Sequence, residues 1–412
     1  SGRPVNEPRH QVPVLLFGSG MTALGVIRCL GRRGIPVYSV EDLVPHIRRS
    51  RWFQNAPRPS GAPDPKADLA GYLARLPFER AVLIASADSW VRRLANLDEE
   101  LSERFPSTVS PLEVLDRLMD KAALSDSVQA ADIPYPRTEK VGTVSDLEAL
   151  PDSAFTGAFL KPVDSEAFLG RYAIKAFNIR SRAEAEARLH DLEGSRISML
   201  LQEYIPGPPS NHLFIDGFID WSGRTLARFA RQRLRMYPGD FGNSTYMKTI
   251  PLADVADAAH SLRQLLTYVD YRGIFSAEFK LDERDGLFKI LEVNVRPWWY
   301  IEFAARCGVD VCYLAYLDAL RREPIPITEY QVGVHLVYPH NDYFSYRALR
   351  RKGELSLGQW LRSCVGATQP IFCWDDPMPA AADFAQFVRN RFHARRPYRG
   401  PERRRVPRTA RK

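Results

Sequence analysis

Apolar and polar positions alternate with a period of two over residues 275–282, which predicts a half-buried strand with Glu278 on its polar face. An Asp-Gly turn signal follows at 285–286, and the alternation then resumes, so the segment predicts a β-hairpin. One side of the second strand is expected to carry Ile290, Glu292, Asn294 and Arg296. The other side is expected to carry Leu291, Val293 and Val295.

Polar groups on this hairpin are candidates for holding a divalent cation. A turn around residues 283–286 brings Glu278 opposite residues 291–293, and cross-strand neighbours have Cβ atoms about 5 Å apart. Glu278, Glu292 and Asn294 then converge, and their oxygens suit Mg²⁺ held together with substrate phosphates. Arg296 adds a fork-shaped cation on the same face. The alternative is an ordinary hairpin with a solvated polar face.

The N-terminal pattern predicts a βαβ unit, with a strand at 12–17, a helix over 21–34 and a strand at 35–42. The turn Gly18-Ser19-Gly20 ends the first strand, where open α/β sheets bind ligands. In GSGMTALG the third glycine of a dinucleotide fingerprint is displaced, although Glu41 and Asp42 lie at about the ribose-binding distance. Tight strand-to-helix packing explains the glycines equally well. An NAD-dependent dehydrogenase is therefore the weaker alternative.

Beyond about residue 117, short strands alternate with helices, which predicts a compact α+β unit. The predicted strands lie at 158–163, 199–203, 213–220 and 225–238. The predicted helices lie at 119–132, 182–193, 253–269, 307–322 and 346–364, with a loop at 239–247.

These patterns predict a division of the chain, since 412 residues with 45% hydrophobic composition can form two or three cored domains. The predicted parts are a flexible N-terminus (1–10), a Rossmann-like domain (11–116), a second domain (117–326, with subdomains 117–205 and 206–326), an accessory region (327–388) and a basic disordered tail (389–412). We find no chemistry in the accessory region.

The net charge of +8 is concentrated at the C-terminal end. Residues 389–412 hold 11 Arg or Lys and one Glu, a charge of +10, so the other 388 residues sum to −2. A solvated tail is favoured over contact with RNA, an acidic membrane or an acidic partner.

Several sequence features favour a cytoplasmic protein. No run approaches the ~20 apolar residues that span a bilayer, and SGRPVNEPRH has no apolar signal-peptide core, so no membrane span is expected. The five cysteines are scattered without CxxC spacing, which favours reduced thiols over a disulfide framework or a zinc site.

Five short motifs follow one another at plausible intervals: Lys121 in MDK, Lys161 in FLKP, QEYIPG at 202–207, Glu278 in AEFK and EVNVRP at 292–297. Over about residues 12–325 the chain resembles the ATP-grasp superfamily, and within it the carboligases and amino-acid ligases related to D-aspartate ligase and the carbamoyl-phosphate synthase large chain. The resemblance implies α/β and α+β architecture, an ATP-grasp fold preceded by a Rossmann-like pre-ATP-grasp domain.

The resemblance also implies roles for individual residues. Lys121 and Lys161 match the lysines that hold nucleotide phosphates. The adenine-binding segment corresponds to Gln202, Glu203, Tyr204 and Ile205, with main-chain groups of Glu203 and Ile205 making the contacts. The magnesium ligands, which also accept Mn²⁺, correspond to Glu278, Glu292 and Asn294, and the arginine near the transferred phosphate corresponds to Arg296. Such enzymes convert a carboxylate to an acyl phosphate that an amine then attacks, and the cofactors are ATP and Mg²⁺.

Two further arginines, Arg233 and Arg235, are expected to share a strand face and grip a carboxylate or the acyl phosphate; a solvated edge strand is the alternative. We expect Trp298, Trp299 and Tyr300 to divide between core and rim rather than to wall the acceptor pocket together.

Two departures from the family pattern concern phosphate and ribose binding. Residues 163–173 hold only Gly170 where a richer glycine loop is usual. Residues 208–214 lack the acidic side chain that family members offer to ribose; His212 is the alternative ribose partner, and a surface histidine is the expectation.

The leading hypothesis is therefore an ATP- and Mg²⁺-dependent ligase that joins small-molecule carboxylate and amine substrates, one of them an amino acid or small peptide. The alternative from another class is a catalytically weak nucleotide-binding or partner-binding protein with the same fold. A homodimer is compatible with either.

Overall fold

The structure, a computed structural model, describes residues 11–163, 176–192, 198–239 and 242–393. Three β-sheets organise this part of the chain: one four-stranded parallel sheet, one four-stranded antiparallel sheet and one six-stranded, antiparallel sheet.

The parallel sheet has the order β3-β2-β1-β4. Its strands are β1 (Val14–Phe17), β2 (Val37–Ser39), β3 (Phe53–Asn55) and β4 (Val82–Ala85). The accompanying helices are α1 (Gly20–Gly31), α2 (Leu69–Ala74), α3 (Asp88–Ala95) and α4 (Glu99–Arg104). All four residues of β1 are buried because both faces of the sheet are covered, as its continuous apolar run predicts.

The smaller antiparallel sheet has the order β5-β8-β6-β7. Its strands are β5 (Thr138–Val141), β6 (Ala158–Pro162), β7 (Phe177–Ile179) and β8 (Met199–Glu203). The helices before and within it are α5 (Leu112–Met119), α6 (Lys121–Ala130), α7 (Val144–Glu148) and α8 (Arg182–Leu192). This unit has a hydrophobic core of its own, which includes Leu160, Leu189 and Leu201.

The six-stranded sheet has the order β13-β12-β9-β10-β11-β14. Its strands are β9 (His212–Ile219), β10 (Thr225–Tyr237), β11 (Asn243–Thr249), β12 (Gly273–Asp282), β13 (Leu287–Asn294) and β14 (His335–Val337). The remaining helices are α9 (Ala256–Tyr268), α10 (Ile301–Arg306), α11 (Val311–Ala319), α12 (Pro339–Arg351), α13 (Leu357–Cys364) and α14 (Met378–His393).

Four details differ from the sequence prediction. The predicted loop at 239–247 becomes strand β11 from Asn243, where it pairs with β10. The helix predicted over 307–322 begins only at Val311, because Gly308 adopts a left-handed conformation (φ +106°). Gly353 (φ +77°) likewise separates α12 from α13. Residues 389–393, predicted as disordered tail, continue helix α14, and the rest of the tail lies outside the described residues.

The two largest hydrophobic clusters join the parallel sheet to the six-stranded sheet. One contains Leu15 of β1 with Phe279 of β12, and the other contains Leu16 with Phe229 of β10. These two sheets therefore form a continuous core. Among the described residues no helix is long and apolar enough to cross a membrane.

Buried ion pairs and hydrogen bonds of Arg28 join helix α1 to the C-terminal region. The guanidinium of Arg28 is fully buried and donates to Asp376 Oδ2 (2.9 Å) and Glu302 Oε2 (3.1 Å). It also donates to the main-chain carbonyl oxygens of Pro370, Ile371 and Asp376. A buried arginine with this many acceptors has its charge and its donors satisfied.

Candidate active site

In the hairpin formed by β12 and β13, the partner of Glu278 falls within the range 291–293 that the sequence predicts. Glu278 lies directly opposite Glu292, and Ser276 lies opposite Asn294. The turn falls between Asp282 and Leu287, where the N–H of Gly286 donates to the carbonyl oxygen of Asp282 (2.8 Å).

A β-bulge corrects one part of the prediction. The pairing shifts between Glu278 and Phe279, so that Phe279 pairs with Ile290 and Leu291 is the extra residue. The bulge changes the phase of the alternation, and Ile290 joins Val293 in the core instead of sharing the side of Glu292. Leu291 instead lines the cleft beside Glu292.

Two neighbouring side chains, an arginine and a histidine, stabilise the ionised form of Glu278. Arg233 Nη2 lies 3.0 Å from its Oε1, and His212 Nδ1 lies 2.8 Å from the same oxygen. Burial favours the neutral acid, but Arg233 and His212 outweigh that effect and lower the pKa of Glu278 to about 2. Both of these contacts use Oε1.

His212 is not the surface histidine expected from the sequence. It is 9% exposed, and burial lowers the pKa of its ring. Its position at the start of β9, beside β12, explains this, because Lys280 of β12 pairs with His212. Nothing in the sequence pattern around His212 signals this contact, which depends on the pairing of strands more than 60 residues apart.

Lys161 on β6 is a half-buried lysine that lines the cleft. Its Nζ donates to Gln202 Oε1 (2.8 Å), and Gln202 Nε2 donates to Thr138 Oγ1 (2.7 Å). Burial and the nearby charge of Lys121 lower the pKa of Lys161 to about 7, while Glu292 opposes the shift. Lys121 Nζ donates to the carbonyl oxygens of Pro162 (2.7 Å) and Val163 (3.2 Å), which places it beside the end of β6.

The segment 202–205 connects the two antiparallel sheets at the back of the cleft. Lys280 Nζ of β12 donates to the carbonyl oxygen of Ile205 (2.6 Å) and lies 4.9 Å from the centre of the Tyr204 ring. The Glu203 carboxylate pairs with Arg284 (2.6 Å). Lys280 was missed by the sequence reasoning, although its alternation with Glu278 placed it on the same polar face.

A cleft of about 260 Å³ lies between the smaller sheet and the six-stranded sheet. Nine of the twelve predicted site residues line it: Lys121, Lys161, Gln202, Glu203, Tyr204, Ile205, Arg233, Glu278 and Glu292. Two lysines on one side thus face two carboxylates on the other, an arrangement suited to an anionic ligand bound together with a cation.

A second cavity of about 510 Å³ adjoins the first across Glu292 and Lys121. Asn294 lines this cavity, and its Nδ2 donates to Glu292 Oε1 (3.0 Å). On the opposite wall lie Asp88, at the start of α3, and Arg92, in its last turn. The cavity therefore lies between the predicted metal ligands and the carboxyl end of the parallel sheet.

Arg296 and Arg235 line neither cavity. Arg296 Nε donates to Asp88 Oδ1 (2.6 Å) and its Nη2 donates to Asn294 Oδ1 (3.2 Å), so it bridges the hairpin end to α3. Arg235 forms a buried, two-pronged ion pair with Asp342 of α12 (2.9 and 2.7 Å). The bulges in β10 on both sides of Arg235 separate it from Arg233, contrary to the shared face that was expected.

The three consecutive aromatic residues divide between core and rim. Trp298 and Tyr300 are buried, and the Tyr300 hydroxyl donates to the carbonyl oxygen of Ser244 (2.5 Å). Trp299 is half-buried against Tyr338. The predicted loop over the phosphates, residues 163–173, lies outside the described residues from 164 onward.

Packing and ion pairs explain the features that suggested a dinucleotide site. A Cβ on Gly18 would lie 2.4 Å from Ser86 Oγ, and one on Gly25 would lie 2.8 Å from Ile301 Cγ2, so both glycines permit close packing. Glu41 pairs with Lys66 and Asp42 pairs with Arg58. These contacts favour the packing interpretation over an NAD site.

Two antiparallel sheets enclosing a lysine- and carboxylate-lined cleft, after a parallel Rossmann-like sheet, define an ATP-grasp fold, as predicted from the sequence. The chain is 25% identical over 347 residues to the D-aspartate ligase of Enterococcus faecium (strain Aus0004), which covers 79% of this chain and 80% of that enzyme. No protein-family model matches the chain.

Solved structures support the same fold. The L-amino acid ligase from Bacillus licheniformis matches with a TM-score of 0.56 and 14% identity, covering 79% of each chain. A carboxyaminoimidazole ribonucleotide synthase from Aspergillus clavatus, complexed with ATP, matches with a TM-score of 0.60 and 14% identity, covering 79% of this chain and 81% of that one. The predicted resemblance to the ATP-grasp carboligase and amino-acid ligase group is thereby confirmed. The names D-aspartate ligase and L-amino acid ligase agree with the predicted enzyme class, ATP-dependent ligase.

Proposed function

We propose that this protein is an ATP- and Mg²⁺-dependent carboxylate–amine ligase that forms an amide bond through an acyl phosphate, with an amino acid or small peptide as one substrate. The observation that carries the proposal is the cleft in which Lys121 and Lys161 face Glu278 and Glu292. The similarity to D-aspartate ligase supports it, because that enzyme is named for joining an amino acid.

The residues present fit a nucleotide and a divalent cation. The ammonium groups of Lys121 and Lys161 bind phosphate oxygens, and segment 202–205 offers main-chain groups to the adenine. Glu278, Glu292 and Asn294 supply the oxygen ligands that Mg²⁺ prefers. When bound, Mg²⁺ neutralises the negative charge that accumulates on the phosphates.

The second cavity supplies a place for the substrates to be joined. A carboxylate bound there lies across Glu292 from the phosphate-binding cleft, so its oxygen can form a bond to the γ-phosphorus as the bond to ADP breaks. An amine then attacks the acyl carbon, phosphate leaves with the electrons of the broken C–O bond, and the nitrogen loses a proton. Arg296 lines neither cavity; it binds Asp88 and Asn294, two residues of the second cavity, and so positions its wall.

A turnover experiment tests this proposal. The protein is incubated with ATP, Mg²⁺ and pools of carboxylates and amines, and ADP, phosphate and amide products are measured. We expect products to form only when both a carboxylate and an amine are present. In Glu292→Gln the rate of product formation should fall at least about 100-fold, because a cation ligand is removed. The matched control is Glu100→Gln on the exposed surface of α4, which should retain full activity.

Absence of turnover across broad pools contradicts the ligase proposal. If ATP with Mg²⁺ still raised the melting temperature of the wild type, and Glu292→Gln abolished that gain, the protein would be a nucleotide-binding protein without this activity.

We place the reaction in the cytoplasm. The five cysteines are all unpaired, and Cys29, Cys307 and Cys312 are buried as free thiols. Free thiols persist in a reducing compartment, which also supplies ATP.

A further inference from the structure

The C-terminal helices expose an unusual share of the apolar side chains. Nine of the sixteen large apolar side chains exposed among the described residues lie between Tyr343 and Phe387, a short part of the chain. Isolated exposed apolar residues need no explanation, but a contiguous group marks an interaction surface. The question is therefore whether these residues form one surface.

Helix α13 contributes two of them to one side, and Val365, the first residue after the helix, contributes a third. Leu357, Leu361 and Val365 are spaced four residues apart and are 47%, 51% and 81% exposed. No residue of α13 is buried, and a capping box between Ser356 and Gln359 fixes where the helix begins. The helix is thus held in place while its aliphatic side faces outward.

Helix α12 extends the same surface. Tyr343 is 43% exposed, and its ring lies 6.2 Å from the ring of Trp360 on α13, whereas Phe344 stacks on Tyr237 of β10 (5.4 Å). We call Tyr343, Leu357, Leu361 and Val365 the C-terminal apolar surface.

Exposed cations surround this surface. Residues 343–365 carry five basic residues and one acidic residue, Glu354, for a net charge of +4. Two of the arginines, Arg347 and Arg351, lie four and eight residues after Tyr343 and so share its side of α12. The five exposed basic residues are Arg347, Arg350, Arg351, Lys352 and Arg362.

We propose that the C-terminal apolar surface docks on a lipid bilayer that contains anionic headgroups. Exposed aliphatic and aromatic side chains enter the interface between headgroups and acyl chains, while the surrounding cations contact lipid phosphates. The tail supplies further charge, since residues 389–412 carry +10. Two signals, apolar burial and a polybasic segment, together give the binding that either alone gives only weakly.

Charge and chemistry favour this occupant over two others. A second copy would bring two surfaces of +4 together, and like charges oppose that association. A nucleic acid would use the cations but would leave Leu357, Leu361 and Val365 without an apolar partner. The inference does not depend on the proposed ligase activity.

Vesicle co-sedimentation of the full-length protein tests the proposal. Vesicles of phosphatidylcholine are compared with an equimolar mixture of phosphatidylcholine and phosphatidylglycerol at low and high salt. We expect binding to the anionic vesicles only, weakened by salt. Leu357→Ser/Leu361→Ser should lower the partition coefficient about tenfold, since two half-exposed leucines lose their contact with the bilayer.

The charge variant Arg347→Gln/Arg351→Gln should lower the partition coefficient about 25-fold, at about fivefold per cation. Its matched control is Arg75→Gln/Arg80→Gln, and the control for the leucine variant is Trp221→Ser, an exposed apolar residue elsewhere. All variants should keep the melting temperature of the wild type, because each site is exposed.

Equal binding to both vesicle types, or no binding to either, overturns the proposal. It is also overturned if the surface variants bind like their controls, since the tail alone would then carry the binding. A dimer in sedimentation velocity that the leucine variant converts to a monomer, with vesicle binding unchanged, would assign the surface to a second copy instead.

Discussion

The depressed pKa of Lys161 predicts that nucleotide binding takes up a proton. Burial and the charge of Lys121 lower that pKa to about 7 in the free protein, so at pH 8 the neutral amine outnumbers the ammonium by about ten to one. Phosphate oxygens favour the ammonium form. Binding at pH 8 should therefore take up about 0.9 proton, whereas binding at pH 6 should take up only about 0.1.

The same linkage sets the direction of the pH dependence. Because the binding form of Lys161 carries the proton, affinity is greatest well below pH 7 and falls as pH rises through the pKa of the free protein. At pH 8 the affinity should be about 11-fold weaker than this low-pH limit.

Calorimetric titration with a non-hydrolysable ATP analogue and Mg²⁺, in buffers that differ in ionisation enthalpy, measures the proton uptake. The phosphate itself titrates near pH 6, so the informative quantity is the difference between wild type and Lys161→Met. Lys140→Met, on an exposed lysine paired with Asp126, is the matched control and should behave as wild type. Equal proton uptake in wild type and Lys161→Met would refute the reasoning.

Two further predictions concern stability. The pKa of Glu278 is lowered from 4.5 to about 2, so its ionised form adds to the free energy of unfolding above pH 4.5, and this addition is lost as pH falls towards 2. In urea unfolding, Glu278→Gln should therefore lose less stability than the wild type between pH 4.5 and pH 2. An identical pH profile of the two proteins would contradict this. Asp376→Ala should cost about 3 kcal/mol, because it removes a partner of the buried Arg28, whereas Asp375→Ala, which removes a half-exposed partner of Arg32, should cost at most about 1 kcal/mol. Equal losses in urea unfolding would show that burial does not set the cost.

The sequence predicts the parts of the site that depend on local pattern. Strand alternation and one turn signal place Glu278 opposite residues 291–293, since a hairpin fixes its register through its turn, and the bulge at Leu291 then selects Glu292. The cleft then follows from the order of the motifs, which brings Lys161 and segment 202–205 to face that hairpin.

The errors arise where distant segments meet or where the alternation changes phase. The bulge at Leu291 is not encoded in the apolar pattern, because both Ile290 and Leu291 are apolar and either could enter the core. The contact of His212 with Glu278 depends on the pairing of β9 with β12. Pattern within one segment does not determine such pairing.

The C-terminal region, for which the sequence predicts no chemical role, is part of the six-stranded sheet that holds the candidate site. Strand β14 adds the sixth strand beside β11, and Asp342 accepts hydrogen bonds from Arg235, Thr245 and the indole of Trp360. These contacts fix Arg235 two residues beyond Arg233, the residue that contacts Glu278. Two buried arginines that stand two residues apart in the sequence therefore have different roles. Arg233 forms an ion pair with Glu278 in the cleft, while Arg235 joins the six-stranded sheet to helix α12.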